Sequence, residues 1–440
     1  MLAGHWVCRS SRWGRCLGSI SFPLLALSGT FADAQEALRT AINADRSLLA
    51  RQVVAPNEIA PLKAGPVEFA VGLSFGVEYT DNVRNVKTPR KEDFALRPQL
   101  DLNASMPVSE TGRVSLGMGV GYADYLSNDD LDRLFFAPNS ELAYDFSVKD
   151  FHFSIYDSFD YSYDVQSVGG LAGVSQFPRF QNTAGMRATW VPSKWSYQAG
   201  YSHFNFISDG SEFSYLDRSS EQFYARVAYA FAPATRIGME ATSSITDYNE
   251  DVQADNTSLS VGPYVEWKVT EAIGLNVRGG FTHYSFDSTL GSTNTPVRPA
   301  ADSYGLDSYY ANVGINHQLT AFITHGLSFT HQISPGVNQG SDVTESDNIS
   351  YQTSWRLTDN TTLGTSFSYE LGNESQSEKI TNEKYEVFQA GLSIGYRISQ
   401  QASLSASYSY IRRASKGGTS SAGSRDYFVN RVTVGLRYQF

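Results

Sequence analysis

Between residues 67 and 79 every second side chain is apolar, Phe69, Val71, Leu73, Phe75, Val77 and Tyr79, and most positions between are small or polar. That period of two belongs to a strand, because successive side chains of extended backbone leave on opposite faces. The pattern returns downstream. Phe94, Leu96, Pro98, Leu100, Leu102, Ala104 and Met106 alternate with Arg97, Gln99, Asp101, Asn103 and Ser105, and Val114, Leu116, Met118, Val120 and Tyr122 alternate with Ser115, Gly117, Gly119 and Gly121. The closing stretch NRVTVGLRYQF repeats it: Val432, Val434, Leu436, Tyr438 and Phe440 make one face, and Arg431, Thr433, Gly435, Arg437 and Gln439 the other.

Connections between these strands come in two lengths that take turns. Tight turns are predicted at SETG (109–112), Lys149 with Asp150, VPSK (191–194), APA (232–234), TEA (270–272), TAFIT (320–324), TDN (358–360) and SQQA (399–402). Long loops are predicted at 81–92, 127–133, 165–178, 208–219, 249–255, 287–306, 336–345, 372–383 and 414–425. The count is about eighteen strands, an even number that sets both chain ends on the short-turn side. A soluble sandwich has no reason to sort its loops this way, and a closed sheet of that size surrounds a lumen too wide for side chains to fill. The predicted fold class is therefore all-β, a transmembrane antiparallel up-and-down β-barrel with apolar faces in lipid and polar faces around water. Trp190, Trp195, Trp267, Trp355, Tyr438 and Phe440 sit beside short turns, where an interfacial girdle belongs.

The amino end reads differently. Arg9, Arg12 and Arg15 precede an apolar run at 17–31 that ends in Ala32, Asp33 and Ala34, the layout of a cleaved secretory signal. In the next segment Leu38, Ile42, Leu49 and Val53 fall near one helical face, and Pro56, Pro61 and Pro66 punctuate a tether. The chain thus divides into a signal peptide at 1–34, a short N-terminal helical leader at 35–65 and the barrel at 66–440. The leader reads as a loose tether in preference to a periplasmic extension or a plug entering the lumen.

Composition agrees with strands: Tyr and Phe number 26 each and Gly 36, against 15 Pro and 5 Met. Both cysteines, Cys8 and Cys16, fall in the signal without a lipobox before them, which leaves the mature chain no disulfide or thiolate chemistry. Removing three Arg and one Asp with the signal takes the net charge from −11 to −13, so nucleic acid is excluded as a partner.

The signal, the alternation that finishes in Phe440 and the sorted loops resemble Gram-negative outer-membrane β-barrels. More narrowly, GVEYTDNV (76–83) followed by DFALRPQLDL (93–102) is similar to the start of the Putative beta-barrel porin 2 type. The resemblance implies a place in the cell outer membrane with both termini periplasmic, in contact with outer-membrane lipid and lipopolysaccharide. It also implies that barrel assembly machinery reads Val432, Val434, Leu436, Tyr438 and Phe440 as a C-terminal assembly signal. Oligomeric state is not readable, and a homo-oligomer stays open.

On the inward faces the candidate lumen-lining residues are Arg97, Asp101, Arg187, Arg226, Arg236, Glu240, Arg278, Arg356, Arg397, Arg431 and Arg437, with Glu68, Glu141, Asp145 and Glu266 among them. A charged ring in a pore selects permeants by electrostatics, so an Arg-bearing wall predicts passive passage of small hydrophilic solutes with a preference for anions. The same groups could instead pair across strands and stiffen the wall. A conduit for exopolysaccharide export and a structural or adhesive barrel are the other readings.

Acidic loop residues, Asp129, Asp130, Asp132, Glu250, Asp251, Asp255, Asp342, Glu345 and Asp347, match no EF-hand spacing, so no metal or cofactor is predicted. Six histidines (His152, His203, His283, His317, His325, His331) lie on different strands without a nucleophile elbow or a His-Glu-x-x-His pair, and no enzyme is predicted. One strand breaks the pattern: Phe151, Phe153 and Ile155 share a face with Asp157 before Phe159 and Tyr161 resume. Either a bulge shifts register there or Asp157 faces lipid near the membrane edge.

Overall fold

The computed structural model describes residues 62–165, 168–171, 174–287, 304–338, 341, 343–375, 383–416 and 425–440, together with Ala37, Thr40 and Ser47. The expected signal peptide, the apolar face Leu38, Ile42, Leu49 and Val53 of the leader, and Asp342 lie outside the described residues.

Alternation becomes strand wherever it was expected. The strands are β1 (Leu62–Ala64), β2 (Val67–Thr80), β3 (Asp93–Ser109), β4 (Gly112–Tyr125), β5 (Arg133–Val148), β6 (Phe151–Ser162), β7 (Arg179–Trp190), β8 (Trp195–Ser208), β9 (Arg218–Ala232) and β10 (Thr235–Tyr248). They continue as β11 (Asn256–Lys268), β12 (Ile273–Phe286), β13 (Tyr304–Gln318), β14 (Ile323–Pro335), β15 (Val343–Arg356), β16 (Thr361–Ser375), β17 (Glu383–Arg397), β18 (Ala402–Lys416) and β19 (Tyr427–Gln439). Each strand from β2 to β19 pairs antiparallel with the next, and β19 returns to β2 through pairs such as Val434 with Val77 and Gly435 with Gly76. The sheet is therefore a closed barrel of eighteen strands among the described residues, with the three-residue β1 a short hairpin on β2 (Leu62 opposite Phe69). Closure leaves no unpaired edge, which a sheet in hydrocarbon requires.

Short turns gather at one end of the barrel and long loops at the other, as the sequence predicts. The outward faces are apolar and exposed: Leu73, Phe75, Leu100, Leu142, Phe281, Leu392 and Leu436 among many. A belt of that kind is a lipid-facing surface, because a monomer in water does not leave so continuous an apolar area bare. The expected girdle stands along the short-turn end, where Trp190 stacks between Phe151 and Tyr197, Trp195 lies on Tyr229, and Tyr438 meets Phe440 edge-on. The Phe440 amide donates to Val71 O (2.9 Å), so the last residue belongs to the seam that closes the barrel.

Asp157 keeps the outward parity of β6. The register breaks fall on β5, beside residues 137–139, while β6 runs unbroken against β7 with Asp157 opposite Ala184. Its carboxylate remains on the outer face and accepts from Asn182 Nδ2 (2.5 Å), a partner that lowers the cost of a charge on that surface. Glu345 and Asp347, expected in a loop, extend β15 instead, where both lie beside His331 on the outer face.

Candidate functional site

All eleven predicted lumen residues stand on the inner face, but they fall into two populations. Near the short turns Arg236 pairs with Glu266 (3.2 Å), Arg437 with Asp101 (3.3 Å), and Arg356 and Arg397 donate to turn carbonyls of Ala321 and Asp359. These groups are solvated. Higher in the lumen the arginines are drawn into two triads. Glu240 Oε2 lies 3.4 Å from both Arg226 and Arg278, and its other oxygen accepts from Tyr310. Arg278 reaches Glu240 across β11, where Gly262 stands opposite Glu240 and Tyr264 opposite Arg278. Glu78 Oε1 lies 3.0 Å from Arg97 and 3.3 Å from Arg431. Both triads hold two guanidiniums on one carboxylate, so each keeps one positive charge in excess. β2, which carries Glu78, and β10, which carries Glu240, are first and ninth around the eighteen-strand ring, on opposite walls. Arg187, also predicted, is buried on β7 between them.

The loop end is where the structure departs from a plain tube. The described residues of the connection between β6 and β7, 163–165, 168–171 and 174–178, do not project outward but fold into the mouth. Arg179 Nη1 holds its base by donating to Asp164 O (2.9 Å) and Phe177 O (3.1 Å). Its tip crosses to the far wall, where Arg413 Nε on β18 donates to Gly169 O (2.8 Å) and Asn338 donates to Gly170 O (3.2 Å). Gly169 and Gly170 are required there, since a Cβ on either would meet Glu370 and Tyr385 or Glu374 and Val337. Around this strap Val165, Leu171, Phe177, Phe213, Tyr215 and Leu216 bury themselves against Phe204 and Phe206 of the inner wall. Tyr215 Oη donates to Val337 O (2.8 Å), and Gln253 Nε2 donates to Gly336 O and Asn338 O, so neighbouring loops join the same cap.

Arg413 is fully buried in this cap, with Nη2 on Glu383 Oε1 (3.0 Å) and Nη1 on Ser415 and Arg425 O. Beside it Asn338 Nδ2 donates to both oxygens of Glu374 (2.6 and 2.7 Å). Glu374 lies beyond Leu371, the last apolar outward residue of β16, and burial pushes its carboxyl up to about 7, with Glu383 adding to the rise and Arg425 and Arg413 opposing it.

Between the base of the strap and the wall lies a cavity of about 250 Å³ lined by Glu78, Arg97, Arg431, Tyr125, Tyr163, Asp164 and Phe135 among others. Arg97 Nη1 donates to Tyr163 Oη (2.7 Å), which ties the strap to the Glu78 triad. Phe135 lies flat on Gly121, a close approach that any larger residue would block. Farther down, Cβ atoms placed on the inner-face Gly274 and Gly314 would meet nothing. Ser47 of the leader is helical, and its hydroxyl donates to both oxygens of Glu141 (2.9 Å each) on the inner face of β5.

Sequence reasoning named nine of the ten arginines and carboxylates that the triads and the rim ion pairs use, all but Glu78, and did not name Asp164, Arg413 or Glu374. One signal was available: Val165, Val168, Leu171, Val174 and Phe177 recur at every third position of a segment read as an exposed Gly-rich loop. The histidines form no catalytic constellation among the described residues. His203, His283 and His331 pair with carboxylates on the outer face, His317 Nδ1 meets His325 Nε2 (2.9 Å), and His152 bonds Ser147. No group of metal-ligating side chains occurs among the described residues.

The family model described as Putative beta-barrel porin 2 matches residues 62–440. No curated protein matches the chain. Among solved structures, OccAB3 of Acinetobacter baumannii is 10% identical at a TM-score of 0.47, with 86% of this chain and 100% of that one covered. The outer membrane protein opdK of Pseudomonas aeruginosa is 13% identical at 0.46, covering 85% and 99%, and OmpT of Vibrio cholerae is 13% identical at 0.40, covering 86% and 100%. Likeness at this level says nothing about a site or a substrate.

Proposed function

The chain belongs to the Putative beta-barrel porin 2 family, a porin-like barrel of the outer membrane, and from that premise we propose that it passes small hydrophilic solutes passively, anions ahead of cations, with both termini in the periplasm. The observation that carries this reading is the pair of triads on opposite walls, each with one arginine more than its carboxylate. At the Glu240 triad a permeant meets an excess of guanidinium, and at the Glu78 triad it does so once Asp164 is displaced; such a field favours negative ions. Pairing and selectivity are then compatible: the carboxylate holds two arginines in place and leaves their sum positive.

The short turns face the periplasm in this reading and the capped loops face outward, the arrangement usual for outer-membrane barrels. A strap anchored on both walls of the mouth weighs against a conduit for a long polymer, which needs a clear bore. The lumen rather than the loops is then the working part, in contrast to an adhesive barrel. The outward row Val432, Val434, Leu436, Tyr438 and Phe440 fits the role of an assembly signal, since these side chains stay on the surface of the seam.

The test is the reversal potential of the refolded chain in planar bilayers under a KCl gradient. Chloride-directed potentials are expected, and E240Q should move them further toward chloride by removing a negative charge from one triad. Potassium-directed potentials, or the absence of any conductance after removal of the strap, would refute the reading.

A further inference from the structure

The cavity at the base of the strap contains a guanidinium held by an ion pair but by no hydrogen bond. Arg431 Nε lies 3.3 Å from Glu78 Oε1, an ion-pair separation without hydrogen-bond alignment. No hydrogen bond from this guanidinium occurs among the described residues, and it lines the cavity. A planar fork of five donors is made for a bidentate oxyanion, and leaving it unmet costs more the drier its surroundings. Its neighbour Arg97 is occupied, by Glu78, Tyr163 and Tyr125.

Rings make up part of the surface around this fork: Tyr125, Phe135, Phe136, Tyr161 and Tyr163 line the cavity, beside polar side chains such as Thr80, Asn85, Ser162 and Gln176. At about 250 Å³ it falls just under the roughly 300–1,000 Å³ of drug-sized pockets and suits a single-ring molecule. Inorganic phosphate would use the fork and the polar side chains but leave the rings unmet; a planar acid would use both the fork and the rings.

Asp164, on the strap, lines the same cavity and acts electrostatically on Arg97, Arg431 and Glu78. With it in place the two arginines are balanced by two carboxylates. A solute anion therefore competes with Asp164 for Arg431.

We infer that this cavity binds a small organic monocarboxylate, its carboxylate on Arg431 in competition with Asp164 and its body among the rings of Tyr125, Phe135 and Tyr163. The inference deepens the anion-channel reading and rests on it: the site would be the solute's first station.

Benzoate is the probe, titrated by calorimetry into the refolded full chain in detergent, with folding checked by heat-modifiable migration. Saturable benzoate binding is expected, without binding of benzyl alcohol or inorganic phosphate. R431Q should weaken benzoate at least about tenfold, as loss of a charge-assisted bidentate pair does, and R431K, which keeps the charge but not the fork, should weaken it as well. D164N, a loop change that spares the wall, should tighten it severalfold. Equal binding to R431Q and the unaltered chain, equal binding of benzyl alcohol, or no saturable binding even in D164N would overturn the inference. The readout is equilibrium heat rather than current, so a cation-selective channel would sink the reading above while leaving this result interpretable, and the reverse also holds.

Discussion

The two ends of the same strands obey opposite rules. At the short-turn end of β17 and β18 the inner face carries Arg397, Ser403 and Ser405 over open space, and the outer face carries Tyr396, Ile394 and Leu404. At the loop end of these strands the inner face carries Tyr385, Val387, Ile411 and fully buried Arg413, and the outer face turns to Lys384, Glu386 and Arg412. The alternation never slips; only its chemistry changes sign. In the lower half the protein solvates its own interior and gives its apolar side to lipid. In the upper half it builds a conventional core out of loops, with the wall as one side of it. The difference teaches that a porin-like wall can hold a folded cap made of its own loops, provided its inner face becomes apolar where the cap rests.

The largest expected effect comes from deleting that cap. Replacing residues 165–177 with a short Gly-Ser link should raise single-channel conductance severalfold while the barrel stays folded, because the β6–β7 ladder is continuous below the loop. Unchanged conductance would mean that the strap does not limit the path.

A sharper cut removes one anchor. Arg413→Ala deletes the bond to Gly169 O and leaves Glu383 buried with one cation fewer, a class of change that costs roughly 3–5 kcal/mol. The strap should be digested by added protease faster in this variant, with the wall resistant in both. Equal digestion would show that the apolar contacts alone hold the tip.

Acidity should act on the same contact more gently. Docking buries Glu374, whose carboxyl is raised to about 7 from 4.5 when docked. A raised carboxyl favours the docked state when protonated, so docking is strongest below about 4.5 and weakens as pH rises through 7. The full swing is on the order of 3 kcal/mol. Open time should therefore increase from pH 5 to pH 8, and E374Q should hold the low-pH behaviour throughout. A pH response that survives in E374Q would place the titration elsewhere.

At the other end little should happen. Arg437→Ala breaks a solvated pair with Asp101 (3.3 Å), worth at most about 1 kcal/mol, and its effect should be confined to a small drop in chloride preference. A large loss of stability would mean that the lower lumen is drier than the structure shows.

The fold was almost wholly legible because it depends on one local rule. A period of two with sorted loops fixes strand number, closure and the lipid face without reference to any distant contact. The site was only partly legible. That Arg226 and Arg278 point inward can be read from alternation, but that both meet Glu240 depends on register across two strand pairs, which is not a local property. The strap was hidden for a related reason: Gly169 and Gly170 look like loop flexibility until Tyr385 is known to stand against the tip. The inner-face run Tyr385, Val387, Ile411, Tyr427 and Val429 was the overlooked clue, since an apolar patch facing a lumen needs something to cover it.

The most direct test of the central claim, that the mouth is closed by the strap while the lower lumen is wet, uses a single cysteine. With Cys8 and Cys16 removed by replacement, Ser405→Cys places a thiol on the inner face near the short turns. In a planar bilayer holding one orientation, a membrane-impermeant thiol reagent should modify it quickly from the short-turn side and slowly from the loop side, and deletion of the strap should equalise the two rates. Equal rates from both sides with the strap intact would contradict the account.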